Sequence, residues 1–305
     1  MKRYVVLLAI IVLVLVGTYL GKNALSKSGI SKHASGEHGC SRIVSLAPSI
    51  TETLFALGLG DKVVGRTRFD KYPPEVSEIQ EVGGYYDPNY ESIVALRPDL
   101  VIILVEHEDP EKYLTALGMN LIKVSNQTID GIMEAIGIIG NACGKREGAE
   151  LMVASLQRRM KAIREKTADL SRPQVMISIG RNMGSDEFQE LYIAGQDGFY
   201  DEMLRIAGGL NAYQGRVKYP TVSNESVLKL DPEVIIDVVT HPGRLEGMEE
   251  KVMATWERFL GRTGMGKRRV YVLAQDFMVI PGPRFIDTIE ELARVVHPEV
   301  DWERE

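Results

Sequence analysis

Three pairs of residues that can do chemistry recur at one fixed spacing: Tyr85 and Tyr219, Glu91 and Glu225, His107 and His241, each 134 positions apart. Paired phenols supply aromatic plates for a large, partly flat ligand. Paired carboxylates supply a two-point electrostatic dock for a symmetric partner. Paired imidazoles supply contacts to a ligand or to a metal ion. Around them stand further aromatics, Phe69, Tyr72, Tyr86 and Phe277, and four cations, Arg66, Arg68, Arg181 and Arg284. Arg284 is the most constrained of these, since Pro281, Gly282 and Pro283 hold it in a rigid turn. The blander readings stand beside these: loop-packing tyrosines, solvated acids at helix starts, single surface charges, and hydrogen-bonded structural histidines, the commoner role for a histidine at a strand end.

Nucleophile and base pairs at recognisable spacing are missing. There is no GxSxG, HExxH, P-loop or CxxC, and no GxGxxG follows a strand, so an enzyme is not expected. The formal charge of −6, with no run of Lys and Arg interleaved with aromatics, argues against a nucleic-acid partner.

The elements that position these residues follow from the repeat. Residues 85–107 align without a gap onto 219–241, with 8 of 23 positions identical. In each copy Asn89 or Ser223 can N-cap a short helix, with Glu91 or Glu225 in its first turn near the positive end of the dipole. Pro98 or Pro232 breaks the chain, and LVIILV or VIIDVV follows as a strand buried on both faces of a parallel sheet. Upstream of each copy another strand and helix are expected, at 42–46 and 49–57, and at 174–179 and 198–207. Between the two sets, 145–170 is free of proline and carries Ala149, Met152, Val153, Leu156, Met160 and Ile163 at helical spacing.

The expected fold is therefore α/β, two Rossmann-like lobes with parallel sheets joined by one long α-helix. Its parts are an N-terminal lobe at 42–144, a backbone helix at 145–171, a C-terminal lobe at 172–297 and a tail at 298–305. Ligands of open parallel sheets bind beyond the carboxyl ends of the strands. That rule brings 47–49, 66–72, 83–86 and His107 of one lobe to face 181–185, 218–219, His241 and 277–284 of the other.

At the N-terminus, Lys2 and Arg3 precede a charge-free apolar run at 4–20, an export signal that we read as an uncleaved membrane anchor at 1–21. A flexible tether follows at 22–41. Lipidation of Cys40 is not expected, because Glu37 stands at the −3 position where an apolar residue is required. Cys40 precedes the first strand and Cys143 ends a helix antiparallel to the strands, so both lie at one end of one sheet and a disulfide between them is expected.

These segments match a known family. RIVSLAPSITETLFALGLGDKVVG, KYPPEV, VGGYYDPNYESIVALRPDLVI, YIAGQDGFYDEMLRIAGGLNAY and YPTVSNESVLKLDPEVII resemble, in order, the class III periplasmic binding proteins for cobalamin, haem and ferric siderophores. The resemblance spans about residues 42–297. It implies an extracytoplasmic monomer that binds a metal chelate of cobalt or iron between its lobes and delivers it to an ABC importer, the permease dimer and its ATPase. It also implies that Glu91 and Glu225 pair with arginines of the two permease subunits. The cobalamin-binding members place aromatics where Phe69, Tyr85 and Tyr219 stand, and an arginine where Arg284 stands. Tyrosines replace their tryptophans here, and His107 replaces an unlike residue. A corrinoid ranks first as ligand and an iron chelate, siderophore or haem, second. A membrane-anchored sensor or a metal-dependent enzyme on the same scaffold is the competing class. No cofactor of the protein's own is expected. The expected ligand-binding residues are Phe69, Tyr72, Tyr85, Tyr86, Arg181, Tyr219 and Arg284, with His107 and His241 as metal candidates.

Overall fold

The computed structural model describes residues 40–183, 187–196, 198–239 and 247–303. The anchor at 1–21, nearly all of the tether and His241 lie outside the described residues. In the first lobe the elements run β1 (Ile43–Ser45), α1 (Pro48–Ala56), β2 (Val63–Gly65), α2 (Tyr90–Ala95), β3 (Leu100–Leu104), α3 (Glu108–Ala116), β4 (Leu121–Val124) and α4 (Ile129–Ala142). The four strands form a parallel sheet in the order β2-β1-β3-β4. All five residues of β3 are fully buried, as an unbroken aliphatic run between two layers of helices should be. Cys40 and Cys143 are joined, with their Cα atoms 5.3 Å apart. The bond leaves Cys40 without a free thiol and closes a span of 103 residues. In the chain-entropy picture such a loop contributes up to about 4–5 kcal/mol.

Helix α5 (Arg146–Thr167) follows, 22 residues or roughly 33 Å long. Its buried stripe is Ala149, Leu156, Met160, Ile163 and Thr167, with Met152 and Val153 partly covered. It packs on α4 and on helices of the second lobe. One buried cluster runs from Ile43 through this stripe to Val296.

The second lobe contains β5 (Gln174–Met183), β6 (Phe188–Ile193), α6 (Phe199–Ile206), β7 (Leu210–Asn211), β8 (Thr221–Val222), α7 (Asn224–Leu230), β9 (Val234–Val238), α8 (Met248–Thr263), β10 (Arg269–Leu273) and α9 (Phe285–Val296). Its sheet is mixed. Strands β10, β9, β5 and β7 are parallel, but at the far edge β6 pairs antiparallel with β5, and β8 pairs antiparallel with β6. The expectation of a wholly parallel sheet is corrected at this edge. Strand β6 mixes buried Phe188, Leu191 and Ile193 with exposed Gln189, Glu190 and Tyr192, as expected of a strand with one wet face.

The duplication is visible in the backbone. Helices α2 and α7 begin at 90 and 224, and strands β3 and β9 at 100 and 234, each pair 134 apart. Asn89 accepts the Ser92 amide at 2.9 Å and Ser223 accepts the Ser226 amide at 3.3 Å. Arg97 and Asp231, also equivalent, both adopt positive φ, at 46° and 45°. Both copies thus turn from helix to strand through the same left-handed residue.

Candidate functional site

A cavity of about 810 Å³ opens between the lobes. From the first lobe it is lined by Phe69, Tyr85, Tyr86 and Glu106, with 47–49 and 126–127. From the second come 198–200, Lys218, Tyr219 and 279–281. Tyr85 and Tyr219, equivalent by the repeat, thus stand on opposite walls of the same cavity.

Each aromatic is held by its own loop. Asp70, buried, accepts the hydroxyls of Thr51 on α1 and of Thr67, which pins the turn presenting Phe69. Burial pushes the Asp70 carboxyl up, against these hydrogen bonds. Phe69 itself is half exposed, with the Arg68 guanidinium 5.7 Å from its ring centre. Arg68 pairs with Asp87 at 2.8 Å, joining this turn to the next. That next turn needs Gly83, whose φ is 99° and where a Cβ would stand 2.7 Å from the Asn89 amide nitrogen. It presents Tyr85 edge-on to Tyr86, with ring centres 4.6 Å apart. The Tyr85 hydroxyl donates to Glu106 Oε1 at 2.7 Å; burial and this bond hold its proton far above the normal phenol range. On the facing wall, the Gly195 amide donates to the Lys218 carbonyl at 2.7 Å. A Cβ at Gly195 would collide with the Val217 carbonyl oxygen, so glycine lets the segment carrying Lys218 and Tyr219 lie close. Burial also raises the Tyr219 phenol.

Helices α1 and α6 both start at the cavity, at Ala47 and Gly198, and neither has a side-chain cap on its first amides. Such helix starts favour acceptor groups on a ligand. The Tyr200 hydroxyl, just inside α6, donates to the Met278 carbonyl at 2.7 Å and braces the second-lobe wall.

Three expected ligand residues stand elsewhere. Arg181 on β5 reaches across its sheet to form an ion pair with Asp237 on β9 and donates to the Val238 carbonyl at 2.8 Å. Asp237, fully buried, also accepts the Trp256 indole N–H at 2.7 Å. A carboxylate in a buried strand requires such donors, so Arg181 is a core residue of the second lobe, and its assignment to the ligand is corrected. Arg284 and Tyr72 line a separate cavity of about 590 Å³. There the guanidinium lies 3.7 Å over the Tyr72 ring. It donates to Glu52 of α1 at 2.6 and 3.0 Å and to Asp276 at 2.8 and 3.0 Å. Arg284 therefore joins the second lobe to the first, with Glu52 4% and Arg284 15% exposed at the side chain. Burial raises the Glu52 carboxyl, an effect that the hydrogen bonds and charge of Arg284 offset only in part. On the other side, Glu202 of α6 accepts the Ile129 amide at 2.8 Å, at the start of α4, a second bridge between lobes. Of the other cations, Arg66 is spent on the carbonyls of Val76 and Thr67, both at 2.8 Å.

His107 is 1% exposed and does not reach the cavity. Its Nδ1 accepts the Leu104 amide at 3.3 Å, which leaves the proton on Nε2, and its ring sits 4.4 Å from that of Tyr85. Burial holds the imidazole below its usual pKa, partly offset by the charge of Glu106. As a metal ligand His107 is corrected: it is a neutral wedge behind Tyr85. Among the described residues no cluster of three or more His, Cys, Asp or Glu could hold a metal ion. Glu91 and Glu225 are both exposed in the first turns of α2 and α7.

Glu106, Asn126, Gln127 and 198–200 went unread in the sequence. The strand-end rule would have found the middle two had β4 been recognised, since they follow its carboxyl end.

Comparison with known proteins agrees with this architecture. The model of the periplasmic binding protein family matches residues 43–276. An uncharacterized ABC transporter substrate-binding lipoprotein of Bacillus subtilis (strain 168), YvrC, is 32% identical over 263 residues, covering 85% of this chain and 80% of the relative. The crystal structure of the periplasmic vitamin B12-binding protein BtuF of Vibrio cholerae superposes with a TM-score of 0.68 at 26% identity, over 85% of this chain and 97% of that one. The periplasmic heme-binding protein RhuT from Roseiflexus sp. RS-1, in its apo form, does so at 0.71 and 26%, over 85% and 99%. With two lobes, one connecting helix and an aromatic cleft between the lobes, the chain belongs to the periplasmic binding protein family, as a substrate-binding protein of ABC transporters.

Proposed function

We propose that the protein captures a corrinoid in the cleft between its lobes, outside the cytoplasmic membrane to which its N-terminal segment anchors it. Glu91 and Glu225 then present the loaded protein to the two halves of an ABC permease. The observation that carries the ligand reading is the withdrawal of charge from an aromatic cleft. Arg66, Arg181 and Arg284 are each engaged outside it, and Lys218 is the one cation among its described lining residues. Haem brings two carboxylates that need cations and an iron that commonly takes an axial donor from the protein. Here His107 is buried away from the cavity, and the phenols of Tyr85 and Tyr219 stay protonated. A corrinoid carries a flat macrocycle fringed with amides and brings axial ligands of its own. Aromatic plates, helix starts and a few fixed polar groups suit that periphery. The iron-chelate reading keeps one point in its favour, the likeness to a heme-binding structure.

The test is a calorimetric and visible-absorption titration of the folded protein with cyanocobalamin, dicyanocobinamide, haemin and a ferric catecholate. One corrinoid bound per chain is expected. Saturation by haemin or the ferric chelate, with no corrinoid bound, refutes the ligand reading.

A further inference from the structure

Glu106 is the one carboxylate among the described residues lining the cavity. It follows β3, on the wall shared with Tyr85 and Tyr86, and its two oxygens are in different situations. Oε1 accepts the Tyr85 hydroxyl at 2.7 Å, which fixes the carboxylate in place. Oε2 is buried and has no hydrogen-bond partner among the described residues. No Lys or Arg among them pairs with Glu106, and its neighbour His107 is held neutral by burial. Leaving a buried carboxylate oxygen without a donor is unfavourable, and a turn of the side chain that opens Oε2 to the cavity lets a donor brought by another molecule remove the deficit. The opposite wall has the reverse polarity, with the start of α6 and Lys218 offering donors.

We propose that Glu106 is a specificity-determining residue, which sets the cleft for a ligand whose rim carries N–H donors and against one whose rim carries carboxylates. A primary carboxamide meets both walls, giving its N–H to Glu106 and its carbonyl to the facing donors. A carboxylate meets only the second wall and is repelled by the first. Discrimination of this kind depends as much on the repulsive element as on the attractive one. The inference deepens the corrinoid reading and rests on it.

The experiment compares two dicyano-corrinoids on the full-length protein: cobinamide, whose side chains are amides, and cobyrinic acid, whose side chains are carboxylates. The unaltered protein should prefer the amide form by about a hundredfold or more. In Glu106→Gln the side chain keeps its shape and can still accept the Tyr85 hydroxyl, but it loses the charge and gains a donor. That preference should shrink at least tenfold, mainly by tighter binding of the acid form, with the melting temperature unchanged or raised. If Glu106→Gln does not fold, Glu106→Met removes the charge at similar length and gives the same comparison. An unchanged preference in the folded variant overturns the inference and leaves the corrinoid reading standing. Failure of the unaltered protein to bind either compound overturns the corrinoid reading, and the inference with it.

Discussion

Replacing Arg284 with methionine tests whether this arginine clamps the lobes or contacts the ligand. Its guanidinium spans the lobes, with Glu52 of α1 on one side, Asp276 on the other and the Tyr72 ring beneath it. Methionine keeps part of the packing on Tyr72 and removes the charge. Glu52 is then a carboxylate only 4% exposed with no cation beside it. Breaking one side of a buried pair costs about 3–5 kcal/mol. The lower end applies here, because Asp276 is 45% exposed and water replaces its lost partner. A loss of about 3 kcal/mol lowers the melting temperature by roughly 5–10 °C. Glu52→Gln alone leaves Arg284 with Asp276 and should cost about 1–2 kcal/mol. The double variant should cost less than the two losses together by at least ~1 kcal/mol, the signature of direct coupling. Urea unfolding of the four proteins gives the cycle, and titration with cyanocobalamin on the same samples gives affinity, which should move less than about threefold at saturating folded fraction. A coupling indistinguishable from zero refutes the clamp. A large loss of affinity with stability unchanged returns Arg284 to the ligand, where the sequence reading had put it.

Two further expectations follow from single sites. His107 is neutral in the folded protein because burial lowers its pKa, whereas in the unfolded chain it protonates near pH 6.5. Its contribution to stability is therefore complete above that pH and is lost as pH falls through the window down to its folded value, with a slope of at most about 1.4 kcal/mol per pH unit for one proton. Denaturant melts of the unaltered protein and of His107→Gln between pH 7 and 5 should diverge in slope by up to this amount; parallel curves would remove the buried neutral imidazole. Reversing both exposed acids, Glu91→Lys with Glu225→Lys, should abolish ligand uptake by cells and leave binding by the purified protein within about twofold, since neither residue lines the cavity. Loss of binding instead would show that these acids do not serve as docks.

What the sequence made legible was whatever repeats or is periodic. The offset of 134 anticipated the caps at Asn89 and Ser223, the strands starting at 100 and 234, and the meeting of Tyr85 with Tyr219 across one cavity. The stripe on α5 was readable because a helix buried along one side repeats its apolar residues at a fixed interval. Strand β6 was not, because an exposed glutamine and glutamate break its apolar run and no counterpart strand stands in the first lobe. The long-range ion pairs were equally hidden: Glu52 and Arg284 are 232 residues apart, and no local pattern links them.

The arginines show where residue type alone misleads. A cation in a loop at the carboxyl end of a sheet reads as a ligand contact, because that is where ligands bind. Yet a buried acid competes for the same cation, and the competition has a predictable winner. An unpaired carboxylate inside a fold is unfavourable at all times, whereas a ligand contact contributes only when the ligand is present. The acid of each pair sits in apolar surroundings: Asp237 interrupts an otherwise aliphatic buried strand, and Glu52 is buried on α1 where the second lobe meets it. Each demanded a cation before any ligand could. Once those demands are met, the cleft retains Lys218 and Glu106 as its described charges, one on each wall. Under the proposed reading, its selectivity rests on aromatic surface and on that single opposed pair, the arrangement a large ligand with a neutral, amide-bearing rim would require.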